Sequence, residues 1–119
     1  DYGCTQTLPA LVGMSRALEL MYTGDIIDAA EADRIGMVSR VVPDDELSEA
    51  AMELATKLAS GPSIAHALTK KMAYTANERT FEEQLWMEGQ SSTASSSSED
   101  RKEGLKAFIE RREPNFQGR

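Results

Sequence analysis

Cysteine, histidine and tryptophan occur once each in these 119 residues. One thiol closes no disulfide, and Cys4 with His66 makes a poor metal set, so neither a disulfide framework nor a zinc module is available. No apolar run approaches the ~20 residues a membrane helix needs, and no charged-then-apolar leader opens the chain, so it is expected to be soluble as it stands, with no membrane partner. Glycines never stand in pairs, and neither a G-x-G-x-x-G nor a P-loop is present, which leaves nucleotide hydrolysis unsupported. Basic residues are outnumbered thirteen to twenty, for a net charge of −7. That balance argues against nucleic-acid binding by phosphate neutralisation.

What is present is a 40% apolar share, with Leu, Ile, Val and Met throughout. The length suits one domain or part of one with a modest core, and the composition argues against wholesale disorder. Charge is unevenly spread: residues 1–100 hold seven basic and seventeen acidic side chains, whereas 101–119 hold six and three. An anionic ligand would be sought first at that basic tail, although a solvated amphipathic helix accounts for the same charges.

Local signals predict a mainly α chain. A turn opens DYGCTQTLPALVG and passes into a short helix; a second helix starts at Met14 with Ala17, Leu18, Met21 and Tyr22 on one stripe, and Gly24 stops it. Asp28 and Glu31 have capping-box spacing ahead of a short helix closed by Gly36. Residues 37–42, MVSRVV, form the one β-rich run, ended by Pro43. A lone strand needs neighbours, so this run reads as the edge of something larger. Leu47, Ala51, Leu54 and Leu58 then mark a helix entered through Asp44 and Asp45. Pro62 suits a first helical position before the stripe Ile64, Leu68, Met72 and Thr75. Thr80 and Glu83 repeat the capping-box spacing before Phe81 and Leu85. The serine-rich stretch Ser91 to Asp100 has a linker's composition, yet helix is expected to continue to about Ala94. Ser97 or Ser98 caps a last helix with Leu105, Phe108 and Ile109 as its apolar face and Pro114 as its stop.

Few side chains invite catalysis. His66 lies mid-helix and reads as a structural or surface residue, Cys4 reads as a small buried thiol, and the acidic pairs sit where helix N-termini favour negative charge. Lys70 and Lys71 could meet phosphate or simply edge an exposed helix. Asp1 precedes a glycine-containing turn before a helix, where a carboxylate can be aimed at a ligand; a frayed end is the alternative.

Three strings go further: Thr5-Gln6 with Leu8-Pro9 and Val12-Gly13; residues 17–38 with TGDIIDAAEADRIGMV; and residues 103–118, EGLKAFIERREPNFQG. In order and separation they resemble the C-terminal part of the crotonase superfamily, the enoyl-CoA hydratases and isomerases. The resemblance implies a crotonase fold's C-terminal helical region with a remnant strand around 37–42. On that basis residues 1–43 end the spiral core, and residues 44–119 form a helical oligomerisation region for a trimer or hexamer.

The family chemistry so implied stabilises an enolate-like oxyanion on a CoA thioester, in fatty-acid or aromatic-acid degradation, as a lyase or isomerase. Its backbone oxyanion donors and glutamates would lie upstream, so this chain alone is expected to be inactive. The substrate would be an acyl-CoA of the full-length parent, with no separate cofactor and no metal. Asp1 looks like a position that is glycine in many hydratases and aspartate in many isomerase-like members. Phe108 and Arg111 match an aromatic and a basic position with which family members reach a neighbouring subunit's CoA adenine and phosphates; Lys71 and Arg112 are lesser candidates. Core packing for Phe108 and dipole compensation for Arg111 are the plainer alternatives. A non-catalytic crotonase-like association module is the alternative function. The expected compartment is cytoplasmic, or mitochondrial or peroxisomal in a eukaryote; one cysteine fits a reducing interior.

Overall fold

The computed structural model describes residues 2–119; Asp1, the catalytic candidate, lies outside the described residues. The chain divides into two compact units, residues 1–50 and 51–119. Each is built from helices, as the mainly α expectation holds.

In the first unit, α1 (Cys4–Val12) and α2 (Met14–Thr23) are separated by Gly13 alone. With φ 82° and ψ 155°, Gly13 takes a conformation open essentially to glycine, which lets one helix end and the next begin without a loop. Leu8 and Val12, four residues apart on α1, bury against Ala17 of α2 and Ile35. Leu20, Met21, Ile27 and Met37 cover this cluster from outside. Ala17 is completely buried, which is why a methyl side chain stands there. Tyr22, expected on the same stripe, is 81% exposed. Gly24 ends α2 in the left-handed conformation, as expected.

The short helix α3 (Ala29–Arg34) starts where the Asp28 carboxylate accepts the Glu31 N–H at 2.8 Å. Only half of the expected capping box forms, because the Glu31 carboxylate turns to Arg34 instead. At its far end the Gly36 N–H donates to the Asp33 carbonyl and the Met37 N–H to the Ala32 carbonyl. This is a Schellman turn with left-handed Gly36 at its pivot.

That turn also bears on the expected strand at 37–42, which does not form. Met37 spends its N–H on α3, residues 37–39 bend, and 40–43 run without helix or strand to Pro43. A ladder exists only between strands, and no second strand occurs among the described residues.

A 3-10 turn, Asp44–Glu46, leads into α4 (Leu47–Ala59), within which the unit boundary falls. The helix forms where its periodicity places it, but its apolar stripe, Leu47, Leu54 and Leu58, is exposed.

In the second unit, α5 (Ser63–Tyr74) begins one residue later than expected, with Pro62 just outside it. Ile64, Leu68 and Met72 are half-buried, and a groove between α5 and α6 (Phe81–Ser96) is lined by Leu68 and Met72 on one side and Ser91 and Ser95 on the other. The capping box of Thr80 and Glu83 is complete. The serine-rich stretch is helical to Ser96, two residues beyond expectation. Its hydroxyls donate back to the helix, Thr93 to the Gly89 carbonyl at 3.0 Å and Ser95 to the Ser92 carbonyl at 3.0 Å, so they find partners without leaving helical geometry. Ser98 caps α7 (Glu99–Glu110), accepting the Arg101 N–H. Leu105, Phe108 and Ile109, expected to face a core, are exposed, and Ala107 is the buried apolar residue of α7.

Candidate functional site

The basic tail and α7 form one hydrogen-bonded assembly. Asp100, in the first turn of α7, is only 3% exposed. Its two carboxylate oxygens accept the N–H groups of Gln117 at 2.6 Å and Gly118 at 2.9 Å, while its own N–H donates to the Arg119 carbonyl at 3.0 Å. One turn further along the same face, Glu103 accepts both Nη atoms of Arg112, at 2.6 and 2.9 Å, and the Asn115 N–H at 2.8 Å. Arg112 Nε also donates to Glu110 at 2.7 Å. The Phe116 ring lies 3.4 Å from where a Cβ on Gly104 would stand, and Gly118 lies beside Ser63. Residues 112–119 are thereby folded back along α7.

The electrostatics follow from these contacts. Bonding to Arg112, and then to the Asn115 N–H, holds the Glu103 carboxyl down from its ordinary 4.5 to about 2. Glu103 and Glu110 push the Arg112 guanidinium above its usual value in return.

Between α7 and this tail stands Arg111. The Arg112 N–H donates to the Ala107 carbonyl at 3.0 Å and the Arg111 N–H to the Phe108 carbonyl at 3.3 Å, the Schellman pattern again. Its pivot is not glycine. Arg111 takes φ 53° and ψ 44°, a left-handed conformation that costs a side-chain-bearing residue roughly 1–2 kcal/mol. The consequence is an exposed guanidinium with no hydrogen-bond partner among the described residues, presented from the turn that carries Phe108, itself 83% exposed. A planar cation and an open aromatic ring three residues apart can together hold a flat ring and an anionic group.

Two of the expected ligand-binding residues, Phe108 and Arg111, thus lie three apart at the C-terminal end of α7, both exposed. Lys71 is exposed in the last turn of a different helix, α5. Arg112 is spent on Glu103 and Glu110. Phe108 is exposed, which removes the core-packing alternative for it within this chain. Cys4 is exposed at the first position of α1, not buried as expected: it lies on the stripe of Leu8 and Val12, but the buried residues of α1 begin one turn further along, at Leu8. His66 is exposed on α5, its ring so close over Gly61 that a Cβ there would collide with it. No three His, Cys, Asp or Glu side chains gather as metal ligands among the described residues, and no helix is long and apolar enough to cross a membrane.

Asp100 and Glu103 were not legible as site residues, since acidic side chains early in a helix are explained by its dipole. The available signal was their i, i+3 spacing ahead of the arginine- and amide-rich RREPNFQGR.

Comparison with known proteins agrees with the residues that carry the resemblance. The enoyl-CoA hydratase/isomerase family profile matches residues 1–119. A mitochondrial enoyl-CoA hydratase of Pongo abelii is 40% identical over 114 residues, covering 96% of this chain and 39% of that protein. The 1,2-epoxyphenylacetyl-CoA isomerase of Escherichia coli is 34% identical over 119 residues, covering all of this chain and 45% of that one. The crystal structure of an enoyl-CoA hydratase from Bacillus anthracis superposes with a TM-score of 0.91 at 43% identity, covering 98% of this chain and 45% of that chain. The chain therefore spans less than half the length of these relatives. Across the length it does have, it belongs to the enoyl-CoA hydratase/isomerase family, the crotonase superfamily.

Proposed function

We propose that this chain is the C-terminal part of an acyl-CoA hydratase or isomerase, and that it contributes subunit contacts and part of a CoA-binding surface. The observation that carries this is the exposed end of α7, where the open Phe108 ring stands three residues from an Arg111 guanidinium without a hydrogen-bond partner among the described residues, in a chain whose whole length matches the enoyl-CoA hydratase/isomerase family. In this reading the Phe108 ring stacks on adenine and Arg111 pairs with phosphate, with Lys71 as a further cation. Residues 1–43 close the spiral core and 44–119 form the helical region that meets neighbouring subunits, in a trimer or hexamer. The exposed Leu54, Leu58, Phe81 and Trp86 are the kind of surface that association covers.

The oxyanion donors and the carboxylates that handle water and the α-proton belong to the rest of the enzyme, so the chain by itself should not hydrate crotonyl-CoA. Asp1 is the candidate catalytic carboxylate that this chain would contribute. The parent reaction is hydration, as in the Pongo relative's name, or isomerisation, as in the Escherichia one's. The parent enzyme would work in the cytoplasm, or in mitochondria as the first of those names has it.

In the complete enzyme, Arg111→Glu should weaken CoA binding roughly tenfold, the loss of one charge-assisted phosphate contact. Unchanged affinity removes the role. Turnover of crotonyl-CoA by the purified 119-residue chain would contradict the placement of the catalytic groups. The uncovered apolar faces favour, as a second reading, a crotonase-like module used for association alone; a parent that assembles but turns over no acyl-CoA would select it.

A further inference from the structure

Arg111 poses a question that its own side chain does not answer. Left-handed backbone at a helix end is glycine's conformation, and an arginine stays there only if its surroundings over-determine it. The guanidinium makes no hydrogen bond among the described residues, so the restraint comes from the backbone on either side. On the N-terminal side lies α7 itself. On the C-terminal side the Arg112 N–H closes the turn on the Ala107 carbonyl, Glu110 accepts Arg112 Nε, and two carboxylates of α7 hold the longest stretch of tail: Glu103 through Arg112 and the Asn115 N–H, and Asp100 through the Gln117 and Gly118 N–H groups. Glu103 acts on the residue immediately after Arg111, and Asp100 fixes the end of the same tail. Neither carboxylate has another hydrogen-bonding task among the described residues beyond these contacts.

We propose that Asp100 and Glu103 are positioning residues: by clamping residues 112–119 onto α7 they hold Arg111 in its left-handed turn, and so present its guanidinium at the end of α7 that carries the exposed Phe108 ring, for a phosphate-bearing adenine nucleotide. This rests on the reading of the Phe108–Arg111 turn given above. The clamp makes a distinct claim, that affinity depends on two side chains which touch no ligand. With the tail released, Arg111 can relax to right-handed or extended backbone, and the fraction of molecules presenting the guanidinium correctly falls. Affinity drops in proportion to that fraction.

The test uses the complete enzyme that contains this chain and adenosine 3′,5′-bisphosphate, titrated by NMR or calorimetry. Arg111→Ala should weaken binding roughly tenfold. Glu103→Gln, and separately Asp100→Asn, should weaken it about threefold or more, with faster amide exchange at Asn115, Gln117 and Gly118 and unchanged exchange in the middle of α7. Two independent variants keep the test alive if one fails to fold. The double variant Glu103→Gln/Arg111→Ala should bind no worse than Arg111→Ala alone, a non-additivity that general destabilisation would not produce. Adenosine without phosphates should bind the clamp variants and the parent chain alike. If the tail is freed and the bisphosphate affinity stays at the parent value while Arg111→Ala still weakens it, the clamp is not a positioning device, although the nucleotide reading stands. If Arg111→Ala itself leaves affinity unchanged, the nucleotide reading fails and the inference with it.

Discussion

Helices α3 and α7 end in the same Schellman turn, one in each unit, with the same two backbone hydrogen bonds. In the first unit the left-handed pivot is Gly36, and in the second it is Arg111. The first turn is relaxed and leads into a chain that feeds Met37 to a small apolar core. The second carries backbone strain, and the segment after it is held by charge-assisted hydrogen bonds. The units differ in their interiors in the same sense. The first buries Leu8, Val12, Ala17 and Ile35, whereas in the second the buried residues are Ala107, Ser91 and Asp100. One unit is held by apolar packing. The other is held by caps, back-bonded hydroxyls and a carboxylate clamp, with most of its large apolar side chains turned outward. Strain is tolerated where hydrogen bonds fix the chain, and the outward faces suit a region whose packing is completed by other surfaces.

The sharpest way to break this contrast is to remove the same side chain from each unit. Leu8→Ala should destabilise the chain by about 2–4 kcal/mol in urea unfolding, through lost burial and a residual cavity. Leu54→Ala, on the exposed stripe of α4, should stay within about 0.5 kcal/mol. Equal costs would mean the stripe is covered in solution. Next in size, Asp100→Ala leaves the Gln117 and Gly118 N–H groups without their acceptor and should cost about 2 kcal/mol, read as lost stability together with rapid exchange at those two amides. The two pivots give a smaller pair of opposite sign. Gly36→Ala should destabilise by about 1 kcal/mol, and Arg111→Gly should stabilise by a similar amount, because only one of them relieves a left-handed Cβ. Thermal melts that shift in the same direction for both would end the argument from strain.

The gentlest probe is pH. Glu103 titrates in the folded chain at about 2 and ordinarily at 4.5. A depressed carboxylate contributes stability above its ordinary value, and that contribution is lost as pH falls from about 4.5 through about 2. The Asn115 amide resonance should therefore titrate with a midpoint near the lower figure. A midpoint near 4.5 would show that Glu103 is not engaged.

Much of the helical framework was legible because its causes are local. Thr80 and Glu83 lie three apart and cap α6, Gly24 stops α2, and Ser98 starts α7, each through atoms within a few residues. Where local chemistry and tertiary context compete, reading by pattern erred. The run 37–42 has strand composition, but a strand needs a partner that composition cannot supply. Leu105 and Ile109 have the spacing of a buried face, but spacing does not say what lies opposite. At the candidate site, Phe108 and Arg111 were identified through resemblance. Their juxtaposition on one strained turn became visible only with the backbone angles. Asp100 went unnoticed because its partners are seventeen and eighteen residues away.

The sequence by itself determined where helices start and stop and which family the motifs resemble, since caps, breakers and motif order are properties of neighbouring residues. The tertiary structure decided which apolar side chains are covered, that residues 112–119 double back on α7, and that Arg112 rather than Arg111 is hydrogen-bonded among the described residues. Those outcomes depend on which carboxylates meet which distant N–H groups and cations, and such meetings are fixed by the path of the chain in space.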